Sequence, residues 1–354
     1  MKCLTVIGAR PQFIKAAPVS RAFAAAGIEQ VLVHTGQHYD FEMSEVFFQE
    51  LEIPPPRHSL GLGGGTHGAM TGRMLEGIEK ILSEDRPDWV LVYGDTNSTL
   101  AGALAAAKLH IPVCHVESGL RSWNRRMPEE INRVLTDHIS NRLFCSSELA
   151  VENLRREGIT AGVEMVGDVM ADTNKLAQEV VAGRSAEFWK AANPDMLADE
   201  FALLTLHRAE NTDDPVRFRA LVEQLNSLDI QVVFPVHPRT RKALLREELS
   251  LGDHIVTIDP VGYLEMVLLL DQARLVLTDS GGLQKEAYWG KTPCLTLRTE
   301  TEWVETVEAG WNVVLGDEVE SLANLVAESE PPPSWEPLYG DGNAAGRIVA
   351  ALSI

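Results

Sequence analysis

Leu4-Thr5-Val6-Ile7, followed at once by Gly8-Ala9-Arg10-Pro11, decides the fold. A short β-branched run ends in a turn with proline near a helix start, and an apolar helical pattern then continues through Ala26; together they make one βα unit. The unit recurs along the chain. Further strands are expected at Gln30 to His34, Trp89 to Tyr93, Val113 to Val116, Leu143 to Cys145 and Val163 to Val166. A second series follows at Ala202 to Leu206, Gln231 to Pro235, Ile255 to Ile258, Leu275 to Thr278 and Cys294 to Leu297. Each is followed by a polar turn and a helix-like stretch. Strands alternating with helices require crossover connections, hence an α/β fold of parallel, doubly wound sheets.

The 354 residues amount to two domains' worth of chain, so two lobes with a cleft between them are expected. The first series of strands fills residues 1–167 and the second fills 168–335. The boundary is read from the irregular, mixed-charge stretch Asp168 to Asp199, with Gly183 and Pro194. Pro331-Pro332-Pro333 marks a stiff connector, and a last helix within 342–354 is placed to return to the first lobe.

With 31 Lys plus Arg against 51 Asp plus Glu, the formal charge is −20, which repels polyphosphate backbones and anionic membranes. Nucleic acid and membrane are therefore excluded as expected partners. The absence of a leader-like amino terminus makes the cytoplasm the expected location. Cys3, Cys114, Cys145 and Cys294 stand singly in apolar runs, without the spacing of a zinc site or redox pair, so buried reduced thiols are expected.

Open α/β sheets gather ligands beyond the carboxyl ends of their strands, which directs attention to the residues just after each run. Arg10 and Lys15 follow the first strand, in a turn that lacks the G-x-G-x-x-G pattern of dinucleotide sites. Asp95 follows Trp89 to Tyr93, in Gly94-Asp95-Thr96-Asn97-Ser98-Thr99, where the hydroxyls also suit a helix cap. Glu117 ends the next strand in His115-Val116-Glu117-Ser118-Gly119-Leu120-Arg121. Glu129 and Arg133 follow in Met127-Pro128-Glu129-Glu130-Ile131-Asn132-Arg133. Three carboxylates with basic neighbours push one another's proton affinities apart, as acid/base chemistry requires. In the second lobe, His207 and Arg208 follow a strand, and Thr278-Asp279-Ser280-Gly281-Gly282 forms a strand-to-helix junction. The amides of Ser280, Gly281 and Gly282 suit a phosphate, and Glu286 is placed to meet a ribose. His237 has the simpler expectation of a packed histidine.

These motifs, from Gly8-Ala9-Arg10-Pro11 to Tyr339-Gly340-Asp341-Gly342, resemble those of the non-hydrolysing UDP-N-acetylglucosamine 2-epimerases over essentially the whole chain. The resemblance implies two Rossmann-like lobes of the glycosyltransferase-B type, a UDP-sugar in the cleft, a homodimer, and neither metal nor organic cofactor. By motif, Asp95, Glu117 and Glu129 match the family's catalytic carboxylates. His207, Arg10, Lys15 and Arg133 match positions around sugar and diphosphate, and Ser280, Gly281, Gly282 and Glu286 match the UDP turn and helix.

The sequence departs from the common form at Ala9 and Gln12-Phe13, where G-T-R-P-E-A is usual, and at Trp303-Val304, within the usual T-E-R-P-E. The stretch between Glu117 and Glu129 is also shorter by about two residues. These features resemble a branch acting on UDP-2,3-diacetamido-2,3-dideoxy-glucuronic acid. The short stretch Arg121-Ser122-Trp123-Asn124-Arg125-Arg126-Met127 carries three arginines, suited to a sugar carboxylate. The simpler expectation is that Arg125 and Arg126 pair with Glu129, Glu130 or surface acids, which leaves UDP-N-acetylglucosamine as the expected substrate. The C2 proton of that sugar is too weakly acidic for direct exchange. The implied reaction is therefore elimination of UDP to a glycal and re-addition with protonation from the other face. A glycosyltransferase and a UDP-sugar sensor on the same fold are the alternatives.

Overall fold

Residues 1–37, 53–182 and 200–353 are described by the computed structural model of the chain. Seven parallel strands make the first sheet: β1 Lys2–Ile7, β2 Glu29–His34, β3 His58–Ser59, β4 Trp89–Tyr93, β5 Val113–Ser118, β6 Arg142–Cys145 and β7 Val163–Met165. Their spatial order is β3-β2-β1-β4-β5-β6-β7. Six make the second: β8 Phe201–Thr205, β9 Gln231–Pro235, β10 Ile255–Ile258, β11 Leu275–Thr278, β12 Cys294–Thr296 and β13 Asn312–Val314, in the order β10-β9-β8-β11-β12-β13. All pairings are parallel. This is the expected α/β architecture of two Rossmann-like doubly wound sheets.

The central strands are apolar on both faces because helices cover both sides of each sheet. Leu4, Val6, Val90 and Val92 are fully buried against Met74 and Ile78 of the helix His67–Asp85. Leu204, Phe234, Leu275 and Leu277 are buried with Phe218 and Leu221 of the helix Pro215–Asn226. The sequence pattern did not announce β3 and β13. Both are edge strands of two or three residues, defined by register against a neighbour rather than by an apolar run.

Contacts divide the chain into one unit of Met1–Leu176 with Tyr339–Ile354 and another of Ala177–Leu338. The division falls after residue 176 rather than 167 because the helix Val169–Ala182 begins on the first unit. There Thr173 donates to the Ile14 carbonyl, and Asp172 accepts from the amides of Ala344 and Ala345. Those two amides open the last helix, Ala344–Leu352. Gly183 and Pro194, on which the sequence boundary partly rested, lie outside the described residues. All four cysteines are buried and free, and burial pushes the Cys3 and Cys294 thiols up to about 12. Among the described residues no helix is long and apolar enough to cross a membrane.

Candidate active site

In both sheets the strand order reverses at the centre, between β1 and β4 in one and between β8 and β11 in the other. At such a switch point neighbouring crossovers leave in opposite directions, opening room at the carboxyl ends of the strands. The sequence-derived site residues cluster at these two places.

In the first unit, Lys15 stands early in the helix Arg10–Ala25 and forms an ion pair with Glu117. Both side chains are largely buried. Burial works to lower the Lys15 proton affinity, but Glu117, with Asp168 and Asp95, more than offsets it and raises the ammonium above its usual range. Glu117 reaches Lys15 from an irregular strand end. The β5–β6 register shifts between Val116 and Ser118, and Glu117 has φ +69°, in the left-handed region. A non-glycine residue there costs on the order of 1–2 kcal/mol, and the bulge turns its side chain out of the strand's regular alternation. Gly94 makes room for the pair: a Cβ at that position would sit 3.1 Å from Glu117 Oε2 and 3.6 Å from Lys15 Nζ. The Arg10 side chain lies outside the described residues.

Asp95 follows Gly94 and is gripped by Arg133, whose Nε and Nη2 lie 3.0 and 2.6 Å from one carboxylate oxygen. Arg133 comes from the helix Pro128–Ile139, where Asn132 also donates to the Asp95 carbonyl at 2.9 Å. Thr96 caps the helix Asn97–Lys108, as its position suggested. Glu129 occupies the first turn of the Arg133 helix, half-buried, and has no hydrogen bond or ion pair among the described residues. Its neighbour Glu130 is buried and accepts from the Ser122 and Trp123 amides and from Arg133. Burial works against its charge, but those donors hold its carboxyl below the usual range.

The three arginines of the Arg121–Met127 stretch have separate fates. Arg121 is locked inside, bound to Asp137 at 2.7 Å and to Glu157 through two bonds of 2.7 Å. It is therefore not free to grip a ligand. Arg125 and Arg126 are exposed, and the expected pairing with Glu129 or Glu130 does not form: among the described residues neither guanidinium has an ion pair. Glu130 is already satisfied by backbone amides and Arg133, which removes the partner the sequence offered.

The second unit is built differently. Asp279, fully buried after β11, accepts from the His207 amide at 2.9 Å, the Arg208 amide at 2.8 Å and Asn211 Nδ2 at 3.1 Å. It thereby ties the β8 turn to the β11 turn, and His207 Nδ1 lies 3.4 Å from its Oδ1. Burial lowers the His207 proton affinity, as do His237, Arg208 and Arg239, and Asp279 offsets this only in part. His207 thus serves as a neutral imidazole near pH 7. His237 caps the helix Pro238–Arg246 by accepting from the Arg239 amide at 3.1 Å.

Ser280 precedes the helix Gly281–Trp289. Its amide donates to Thr278 Oγ1 at 2.9 Å, so it is not one of the anion-facing donors expected from the motif. The Gly281 and Gly282 amides, first in the helix, have no carbonyl within it to reach. A Cβ on Gly282 would lie 3.9 Å from Ser280 Oγ and 4.0 Å from Glu286 Oε1, so Ser280, Gly282 and Glu286 do meet at one place. Trp303, in the departing motif, donates to the Gly281 carbonyl at 2.8 Å and carries Lys285 Nζ 3.9 Å above its ring. Asp279 is the residue sequence reasoning passed over. Its signal was present, one position before Ser280, but a carboxylate satisfied by backbone amides does not differ in sequence from any other turn aspartate.

A family model described as UDP-N-acetylglucosamine 2-epimerase matches residues 21–353. A UDP-2,3-diacetamido-2,3-dideoxy-D-glucuronate 2-epimerase from Pseudomonas aeruginosa is 51% identical over 368 residues, covering 100% of this chain and 99% of that protein. A UDP-N-acetylglucosamine 2-epimerase from Methanocaldococcus jannaschii is 45% identical over 363 residues, again with 100% and 99% covered. The crystal structure of the Methanocaldococcus jannaschii UDP-GlcNAc 2-epimerase in complex with UDP-GlcNAc and UDP superposes with a TM-score of 0.87 at 44% identity, over 100% of this chain and 99% of that one.

Proposed function

Because the chain belongs to the UDP-N-acetylglucosamine 2-epimerase family, we propose that it interconverts UDP-N-acetylglucosamine and UDP-N-acetylmannosamine without hydrolysing either. The observation that supports this reading best is the pair of counter-charged acids at adjacent strand ends, Glu117 on Lys15 and Asp95 on Arg133. Fixed carboxylates of this kind suit removal of the C2 proton on one face of the sugar and its return on the other. The C2–H bond breaks as the C1–O bond to UDP breaks, leaving a glycal and UDP. Re-addition of UDP to C1 with protonation at C2 gives the epimer, and atoms and charge balance with no outside reagent.

The second unit suits the other requirement, holding a diphosphate as it gains charge. Neutral His207 donates a hydrogen bond there, and the Gly281 and Gly282 amides are available at a helix start. Lys15, Arg133, Ser280 and Glu286 complete the proposed substrate contacts, with Arg10 assigned by its motif alone. We also propose a homodimer and a cytoplasmic location. Incubation with UDP-N-acetylglucosamine alone, in deuterated water, tests the reading. The expected product is the manno epimer carrying deuterium at C2; no conversion, without an acceptor, of either this sugar or its 2,3-diacetamido-glucuronate counterpart would point to a transferase or a sensor.

One observation favours a second substrate, UDP-2,3-diacetamido-2,3-dideoxy-glucuronate. Arg125 and Arg126 are exposed and lack ion pairs among the described residues, in a strongly acidic chain. A guanidinium can hold a sugar carboxylate through two hydrogen bonds. Comparing kcat/KM for the two UDP-sugars decides between them. About tenfold preference for the uronate, lost in Arg125→Ala or Arg126→Ala, would establish the second reading.

A further inference from the structure

A buried polar cluster borders the turns that carry Asp95 and Glu117, and no step of the proposed chemistry uses it. His115, on β5, is fully buried. Its Nε2 lies 2.7 Å from the Gly94 carbonyl and its Nδ1 2.7 Å from Asp137 Oδ1. A carbonyl only accepts, so Nε2 must donate to it. Burial works to raise the Asp137 carboxyl, but His115 and Arg121 beside it more than offset that and hold it below the usual range. The second ring nitrogen, Nδ1, shares a hydrogen bond with Asp137 Oδ1. The other Asp137 oxygen accepts from the Gly119 amide at 3.1 Å and from Arg121 at 2.7 Å. Gly94 immediately precedes Asp95, and Gly119 lies two residues beyond Glu117. One unbroken chain of bonds thus joins the two turns.

We propose that His115 is a positioning residue: bonded through both ring nitrogens, it holds with Asp137 the turns bearing Asp95 and Glu117 at a single spacing. The proposal rests on the epimerase reading, since the spacing matters only if both acids serve one sugar carbon. A displacement of about 1 Å in such a pair costs on the order of 100-fold in rate, because proton transfer depends steeply on distance and angle.

The test uses the full-length protein, and turnover by the wild type first judges the epimerase reading by itself. In His115→Asn the amide nitrogen takes the place of Nδ1, so the Asp137 bond survives and the Gly94 bond is lost. In His115→Gln the amide nitrogen reaches the place of Nε2 and keeps the Gly94 bond. The expected result is a kcat about 100-fold lower in His115→Asn with KM within about twofold, and recovery of about tenfold in His115→Gln. A histidine that only supports the fold would lower thermal stability in both variants and leave kcat per folded molecule alike. A kcat in His115→Asn within about threefold of wild type, or equal losses in the two variants, overturns the proposal. If His115→Asn does not fold, nitrogen-labelled wild-type protein decides by NMR, independently of turnover. A slowly exchanging Nε2–H signal from His115 supports the clamp, and its absence overturns it.

Discussion

The proposed function sets the two strand-end clusters opposite problems. In the first unit the groups at the strand ends are charged side chains locked to counter-charges: Lys15 to Glu117, Arg133 to Asp95 and Arg121 to Asp137. In the second, the buried Asp279 is satisfied mainly by backbone amides, His207 is neutral, and Gly281 and Gly282 begin a helix. Proton transfer needs groups whose charge and position do not drift, and paired ions supply that. Holding an anion needs donors without competing acceptors, and backbone amides at a helix start supply that. On that proposal, one fold, used twice, is specialised by the residues at its strand ends.

The largest effect should come from breaking the first cluster's pairing. Lys15→Met leaves Glu117 buried without its counter-charge and should cost about 3–5 kcal/mol in denaturant unfolding. A loss under about 1 kcal/mol would mean the pair is solvated as surface pairs are, and the contrast between the units would weaken. Removing acid function without removing volume comes next. Glu117→Gln and Asp95→Asn should each lower kcat by about 100-fold or more while UDP binding, measured by calorimetry, stays within about twofold. Near-normal turnover in both would move the acid/base role to Glu129.

Smaller effects sharpen the second side. Gly282→Ala meets only ordinary contacts in the fold and replaces the poorest non-proline helix former with the best, so thermal stability should hold or rise. The added methyl nevertheless occupies the space an oxygen would use. UDP affinity should fall about tenfold, or about 1.4 kcal/mol. Unchanged affinity would place the diphosphate elsewhere.

The smallest effect concerns pH. Burial and nearby cations depress the proton affinity of free His207, so it is neutral at pH 7 and gains its proton only as pH falls below the ordinary histidine range. A bound diphosphate favours the protonated form and raises that affinity. By linkage, UDP binding should take up protons and tighten a few-fold toward pH 5.5 relative to His207→Gln, a comparison that cancels the titration of UDP itself. Calorimetry in buffers of differing ionisation heat reads the uptake, and a proton count equal in both proteins would remove His207 from the diphosphate site.

Periodicity alone decided much of the protein. Leu4-Thr5-Val6-Ile7 and its repeats fixed the parallel sheets, because a strand covered by helices on both faces must be apolar throughout, and that is visible residue by residue. Strand ends were equally legible, so Asp95, Glu117, His207 and the Ser280-Gly281-Gly282 turn stand at the ends of the strands expected to carry them. Only the tertiary structure decided who pairs with whom. Arg121 turned inward to Asp137 and Glu157, Glu130 was taken by the Ser122 and Trp123 amides, and Arg125 and Arg126 were left exposed. The Ser280 amide went to Thr278 rather than outward. Burial and periodicity are properties of a segment, whereas a hydrogen bond across 22 residues, such as His115 to Asp137, depends on the register and bulges of strands folded against other parts of the chain.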